Sequence, residues 1–311
     1  MFNVLVTGSN GQLGSEIKEL ILVTDGLPSV ENSSKATSSG EGKPSLPKTH
    51  FFFTDKNELD ISDVNALKNF VETNGINAII NCAAYTAVDK AESDEQNADK
   101  INRLAVKQLA QISKEKNIKL IHVSTDYVFD GENYKPYTED DATSPNGVYG
   151  SSKLEGEKAM QEINPKNSII IRTSWVYSSY GNNFVKTMLR LGKEKEKLGV
   201  IYDQVGTPTY AKDLAKAILE ILPNIKNEKV EIYNYSNEGV LSWYDFAKEI
   251  MRMAKLTCEV NPIETTQYPT PAKRPHYSLL NKSKIKKEFG IIIPYWKDSL
   301  DKCLRKMGGR K

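Results

Sequence analysis

The sequence predicts an α/β fold: a Rossmann-type doubly wound parallel sheet with a smaller C-terminal lobe. Three observations predict it. Short apolar, β-branched runs alternate with longer helical patterns over the first two-thirds of the chain, which is the rhythm of βαβ units. A glycine-rich turn follows the first of these runs directly. The alternation then fades after Thr173, and prolines gather at 262, 269, 271, 275 and 294, where loops and short elements are favoured.

Taken in order, residues 3–7 read as a strand, the glycine turn spans 8–14, and a helix covers 11–22. Residues 24–49 break the pattern with Ser, Gly, Pro and Lys. Compact folds join a helix to the next strand with only a few residues, so this stretch reads as a flexible surface insertion. Strands follow at 51–55, 78–82, 120–124 and 169–173, separated by helices at 64–74, 94–116 and 148–163. Residues 1–172 therefore form a dinucleotide-binding unit. Residues 173–311 form mainly a substrate-binding lobe, with room for a segment to rejoin the main sheet. Within it, strands are expected near 198–201 and 230–235, and helices at 210–222, 243–254 and 297–307. Ser242, with Asp245 three residues on, marks the start of the second of these as a capping box.

Composition narrows the function. Forty-two Lys and Arg balance 40 Asp and Glu, which argues against nucleic-acid binding and polybasic membrane attachment. Cys82, Cys258 and Cys303 lie far apart without a CxxC pair, and the three histidines, His50, His122 and His276, show no zinc spacing. That pattern fits reduced thiols in a cytoplasmic protein. No apolar run reaches membrane-spanning length, and the opening strand leaves no room for a signal segment.

Gly8-Ser9-Asn10-Gly11-Gln12-Leu13-Gly14 stands between strand and helix in a GxxGxxG spacing. Such a turn brings backbone close to a pyrophosphate, and the helix start offers free N–H groups to the anion. The acidic residue expected for the adenosine ribose is displaced by the insertion onto Asp55. Asp55 favours an unphosphorylated ribose while Lys56 attracts a 2′-phosphate, so NADH and NADPH both stay open. Asp60-Ile61 either flanks the adenine or belongs to a helix cap at 60–63.

Three further pieces carry chemistry. Ser124-Thr125-Asp126 ends an apolar strand, at the edge where open α/β sheets bind ligands. Tyr149 and Lys153 sit four apart at the start of a helix and so share one face. Asn81-Cys82-Ala83-Ala84-Tyr85 ends another strand with small residues, against which a flat ring can lie. Hydride reduction of a ketone requires a proton donor at the developing alkoxide. Tyr149 supplies that proton, Lys153 is expected to pull its pKa down, and Thr125 to orient the oxygen.

With these motifs, the chain resembles the extended short-chain dehydrogenase/reductases and, within them, the dTDP-4-dehydrorhamnose reductase family. The resemblance covers nearly everything outside 24–49. It rests on the stretches at 81–92, 124–131, 144–150, 172–177 and 181–185, and on Tyr268-Pro269-Thr270-Pro271-Ala272 with Arg274-Pro275. It implies reduction of the C4 ketone of dTDP-4-dehydro-L-rhamnose by NADPH or NADH, the last step toward a sugar of cell-surface polysaccharides. It implies Thr125, Tyr149 and Lys153 as catalytic residues, Asp126, Trp175 and Asn182 in the sugar pocket, Arg274 at the diphosphate, and a homodimer. Some members hold Mg2+ at a dimer contact. Glu16, and less securely Glu194, are the candidate ligands, but the basic stretch at 302–307 offers no third carboxylate.

Rival readings remain. Nucleotide-sugar 4,6-dehydratases carry Thr-Asp-Glu where this chain has Thr125-Asp126-Tyr127, so the eliminating acid is missing. A sugar epimerase/reductase of the same fold and a binding protein like the regulatory subunit of methionine adenosyltransferase stay open.

Overall fold

Val4, Leu5 and Val6 are all fully buried because β1 (Phe2–Thr7) runs through the middle of a sheet with helices on both faces. A parallel strand covered on both sides is apolar throughout rather than alternating. The structure, a computed structural model, describes residues 1–25 and 49–308. The insertion expected at 24–49 lies almost wholly outside them.

After β1 come α1 (Gln12–Asp25), β2 (Thr49–Thr54), α2 (Val64–Thr73) and β3 (Ala78–Asn81). Two short helices, α3 (Val88–Ala91) and α4 (Glu95–Asp99), lead through a π-helical turn at Lys100–Leu104 into α5 (Ala105–Lys116). β4 (Lys119–Thr125), α6 (Val148–Ile163) and β5 (Ser168–Thr173) follow. The chain continues through β6 (Val176–Tyr177), α7 (Phe184–Glu194), β7 (Lys197–Ile201), β8 (Val205–Gly206), β9 (Thr209–Tyr210) and α8 (Ala211–Ile221). Last are β10 (Glu231–Tyr235), β11 (Leu241–Ser242), α9 (Trp243–Ala254), β12 (Glu259–Ile263), α10 (Ser283–Phe289) and α11 (Trp296–Gly308).

Six strands form the main sheet in the order β2-β1-β3-β4-β5-β10, all parallel. The order reverses at β1, and such a switch point opens a crevice beyond the strands' C-terminal ends. The register sets Thr7 beside Asn81 and Thr125 beside Thr173, so the ends of four strands share that edge. One face buries Leu13, Ile17, Leu214 and Ile218 against Val4 and Val6, and the other buries Leu67, Val106, Leu109 and Met160 against Leu5 and Ile79. A separate core, built around Tyr177, Val185, Phe246, Ile250 and Leu300, holds the C-terminal lobe together.

The helix expected over 94–116 runs continuously from Glu95 to Lys116, with the π turn inside it. Its π turn swings Asn102 inward, where the side chain accepts from Tyr85 N–H (2.9 Å) and donates to the Tyr85 carbonyl (3.1 Å) and to Ser152 Oγ (3.0 Å). Side-chain bonds of this kind replace the ordinary helical repeat locally, a pattern common near functional sites. Residues 231–235 extend the main sheet as β10, and α8 covers it beside α1. Helix α7, capped by Asn183 through Lys186 N–H, and helix α10 have no counterpart in the expectation from sequence.

Candidate active site

Gly8 has φ +65°, and a Cβ there would sit 2.7 Å from Ala83 N, so both conformation and space require glycine. Gly14 stands behind the loop, where a Cβ would lie 2.5 Å from the Gly8 carbonyl. That contact lets α1 start hard against β1, with its first N–H groups facing a cleft of about 910 Å³. Gly8, Asn10, Gly11, Gln12 and Leu13 line one wall, and Asp55, Lys56, Asp60 and Ile61 extend it. Asp55 accepts from Asn10 Nδ2 and from the backbone N–H of Asn57 (2.8 Å), which fixes its carboxylate at the tip of β2. The cap of α2 is Asp63. Asp60 instead accepts from Ser62 N–H and Oγ, and the Ser62 hydroxyl holds its pKa below the usual range.

Ala83, Ala84 and Tyr85 form the middle of the cleft, followed by Thr125, Asp126, Tyr149 and Lys153. The helix carrying the last two is aimed from outside itself. Glu92 Oε1 accepts the Val148 N–H at 2.9 Å, and Gly150 permits an approach to the Tyr127 carbonyl that any Cβ would block at 2.2 Å. Burial pushes the Tyr149 phenol up to about 12, opposed by a hydrogen bond with Thr125. Tyr127 meets the same ring edge-on, with centroids 5.4 Å apart. The position of Lys153 Nζ is set by the Val123 carbonyl at 2.7 Å and His122 Nε2 at 3.3 Å. Burial lowers Lys153 to about 8, opposed by Glu157. The expected lowering of Tyr149 by Lys153 is therefore absent: Thr125 provides the favourable contact, because the lysine head is engaged by β4.

Asp126 is buried, its Oδ1 accepting from Thr125 Oγ1 at 3.0 Å, and burial raises its pKa to about 7. Trp175 and Asn182 close the far end of the cleft. Arg274 does not line it; its guanidinium forks onto Asp89 at 2.7 and 2.6 Å, tying the 272–274 segment to α3.

The family described as RmlD substrate binding domain matches residues 2–308. The dTDP-4-dehydrorhamnose reductase of Aggregatibacter actinomycetemcomitans is 41% identical over 309 residues, covering 96% of this chain and 97% of its own. The chain belongs to the RmlD family. A crystal structure of a dTDP-4-dehydrorhamnose reductase from Clostridium acetobutylicum superposes with TM-score 0.86 at 39% identity, covering 99% of this chain and 100% of that one. A Bacillus anthracis dTDP-4-dehydrorhamnose reductase in complex with NADP gives 0.85 at 34% identity, covering 98% and 100%.

Two residues that matter to this RmlD-family site escaped the sequence reading. Asn102 is hidden because nothing local marks a π turn. His122 sits inside a strand, where a lone histidine reads as ordinary core. The expected metal ligands do not fit a cation. Glu16 is fully buried, accepts from Ser178 Oγ at 2.6 Å and already meets Lys306 Nζ at 3.0 Å. Glu194 pairs with Arg190 on the surface at 2.7 Å. Among the described residues, no three His, Cys, Asp or Glu side chains gather where they would hold a metal, and Mg2+ finds no support.

Proposed function

We propose that this chain reduces the C4 ketone of dTDP-4-dehydro-L-rhamnose to dTDP-L-rhamnose, the last step of dTDP-rhamnose biosynthesis, using NADPH or NADH. One observation carries the reading: Thr125, Tyr149 and Lys153 line the same cleft as the glycine loop, in a chain 41% identical over nearly its full length to a dTDP-4-dehydrorhamnose reductase.

The N–H groups at the start of α1 and its positive dipole end suit a pyrophosphate. Asp55 takes a ribose hydroxyl, Lys56 a 2′-phosphate where one is present, and Asp60 and Ile61 flank the adenine. Ala83, Ala84 and Tyr85 leave a flat wall for the nicotinamide ring, which when bound in reduced form supplies the hydride. Tyr149 gives its phenolic proton to the sugar oxygen, and the Thr125 hydroxyl donates to that oxygen and orients it. Lys153 holds the nicotinamide ribose. Asp126, Trp175 and Asn182 receive the sugar, while Arg274 stays on Asp89.

Among the described residues, no helix is long and apolar enough to cross a membrane, in keeping with a cytoplasmic enzyme acting on a charged, freely diffusing nucleotide sugar. A homodimer is the proposed assembly, which sedimentation velocity tests. The decisive assay follows the reduced-nicotinamide absorbance with enzymatically made dTDP-4-dehydro-L-rhamnose, with NADPH and NADH separately. Rapid oxidation supports the reading and ranks the cofactors. A folded, cofactor-binding protein that oxidises neither overturns it, and redirects attention to another keto-sugar or a binding role.

A further inference from the structure

His122 is fully buried in β4, and the reduction as proposed does not use it. Its ring stands in a chain of hydrogen bonds whose direction can be read from one end. Ala83 N–H can only donate, and it lies 3.2 Å from Asn81 Oδ1. Thr7 Oγ1 reaches the same oxygen at 2.7 Å. Turning the amide over would face Asn81 NH2 against the Ala83 N–H, donor against donor, so Nδ2 must be the atom at His122. It sits 3.0 Å from His122 Nδ1, which therefore accepts. A neutral imidazole has one proton and two distinct nitrogens. With Nδ1 accepting, that proton is on Nε2, 3.3 Å from Lys153 Nζ.

An N–H pointing at Nζ needs a lone pair, which an ammonium lacks and a free amine has. The amine's own hydrogens then go to the Val123 carbonyl at 2.7 Å. We infer that His122 is a positioning residue for Lys153: locked as the Nε2–H tautomer by Asn81, it holds the lysine nitrogen against β4 and favours its uncharged form. Lys153 thus becomes a group that takes up and releases a proton beside Tyr149, rather than a fixed cation.

The surroundings agree. Glu157 on α6 is committed to Arg172 of β5 at 2.7 Å, leaving less negative charge to hold an ammonium. Of the titratable groups that line the cleft with Lys153, Tyr149 on the same helix, Asp126 beyond β4 and Cys82 beyond β3 are each moved by burial toward the neutral form. Burial pushes His122 itself well below its usual range.

The chain has only three histidines, so two-bond ¹H–¹⁵N correlation spectra of the labelled whole protein resolve the tautomer directly. His122 is expected as Nε2–H; an Nδ1–H tautomer overturns the inference. Asn81→Asp, which removes the donor at Nδ1, is expected to switch His122 to Nδ1–H, and a tautomer unmoved by that change also overturns it.

The kinetic arm rests on the reductase reading and follows kcat/KM for NADPH against pH. His122→Gln places a carbonyl oxygen where an ammonium can donate to it. The basic limb is expected to move to higher pH by about one unit, a tenfold change in proton affinity, in a protein whose melting curve shows it folded. A limb that stays or moves lower overturns the inference. If the wild type turns over no sugar, the spectra still decide the tautomer, so the two failures are distinguishable.

Discussion

The indole of Trp175 stacks on that of Trp243 with centroids 3.6 Å apart and planes within 12°, although Trp175 holds a left-handed backbone with φ +48°. A bulky residue in that region is strained, and such strain persists only where the surroundings over-determine it. Here the surroundings are Trp243 at the start of α9 and Gly206, whose Cβ would approach the indole to 3.1 Å. Trp175 lines the cleft, so the stack carries the rigidity of the lobe's core to the sugar side of the site.

Trp243→Ala removes that support without touching the glycine loop. An aromatic pair is worth about 0.5–1.5 kcal/mol beyond its area, so KM for the keto-sugar should rise by up to roughly tenfold. KM for NADPH should stay where it was. Steady-state kinetics with each substrate varied in turn checks this; equal changes in both would show a general loss of structure instead.

Tyr149→Phe deletes the proposed proton donor while keeping the ring that meets Tyr127 edge-on. Loss of general-acid catalysis is expected to lower kcat by about 10²–10⁴, with NADPH affinity, read by fluorescence titration, nearly unchanged. Thr125→Val should cost less. It removes the one contact that draws the Tyr149 phenol down from its raised value, but leaves the donor in place.

Much of this was legible in the sequence, for a physical reason. The glycine turn, the strand-terminal Thr125 and the Tyr149/Lys153 pair are local patterns, each set by a few neighbouring residues and the period of one element. Strands at 78–81 and 168–173 announced themselves because both faces are covered, which leaves the apolar runs Ala78-Ile79-Ile80 and Ile169-Ile170-Ile171. What stayed hidden is non-local. Asn102 matters through Tyr85 and Ser152, 17 and 50 residues away. Arg274 was expected at the diphosphate, yet its partner is Asp89, 185 residues earlier. The expected effect of Lys153 on Tyr149 was a helix-spacing argument; it overlooked that β4 presents a carbonyl and a histidine to the same nitrogen.

Asp126 gives stability a pH signature. Burial raises its folded pKa to about 7 from the ordinary 3.8. Between those values the unfolded chain has lost the proton while the folded chain still keeps it. The folded state therefore binds more protons, and this group's contribution falls as pH climbs from 3.8 to about 7, then levels off. Asp126→Asn removes that slope. Across this range the melting temperature of the wild type should fall relative to that of the variant as pH rises. Parallel curves would mean Asp126 is ionised in the folded protein throughout.

Lys306 already pairs with Glu16, the carboxylate expected from the sequence to hold a metal. Its ammonium bonds Glu16 and Glu19 from α11, joining the last described helix to α1. It also lies 4.4 Å from the Tyr180 ring centroid. Magnesium chloride should therefore leave the melting temperature of the wild type unchanged relative to sodium chloride of equal ionic strength. A specific rise would show that the ion displaces the lysine. Lys306→Met leaves the fully buried Glu16 carboxylate on the Ser178 and Ser179 hydroxyls. Breaking a buried pair from one side costs about 3–5 kcal/mol, and the partial exposure of Lys306 places this case near the lower end. Most of that cost is a buried, uncompensated charge rather than a lost attraction. Adding Glu16→Gln to Lys306→Met should then restore much of the stability, a coupling that denaturant melts of the two single variants and the double variant measure. Additive losses would show that the two side chains act independently.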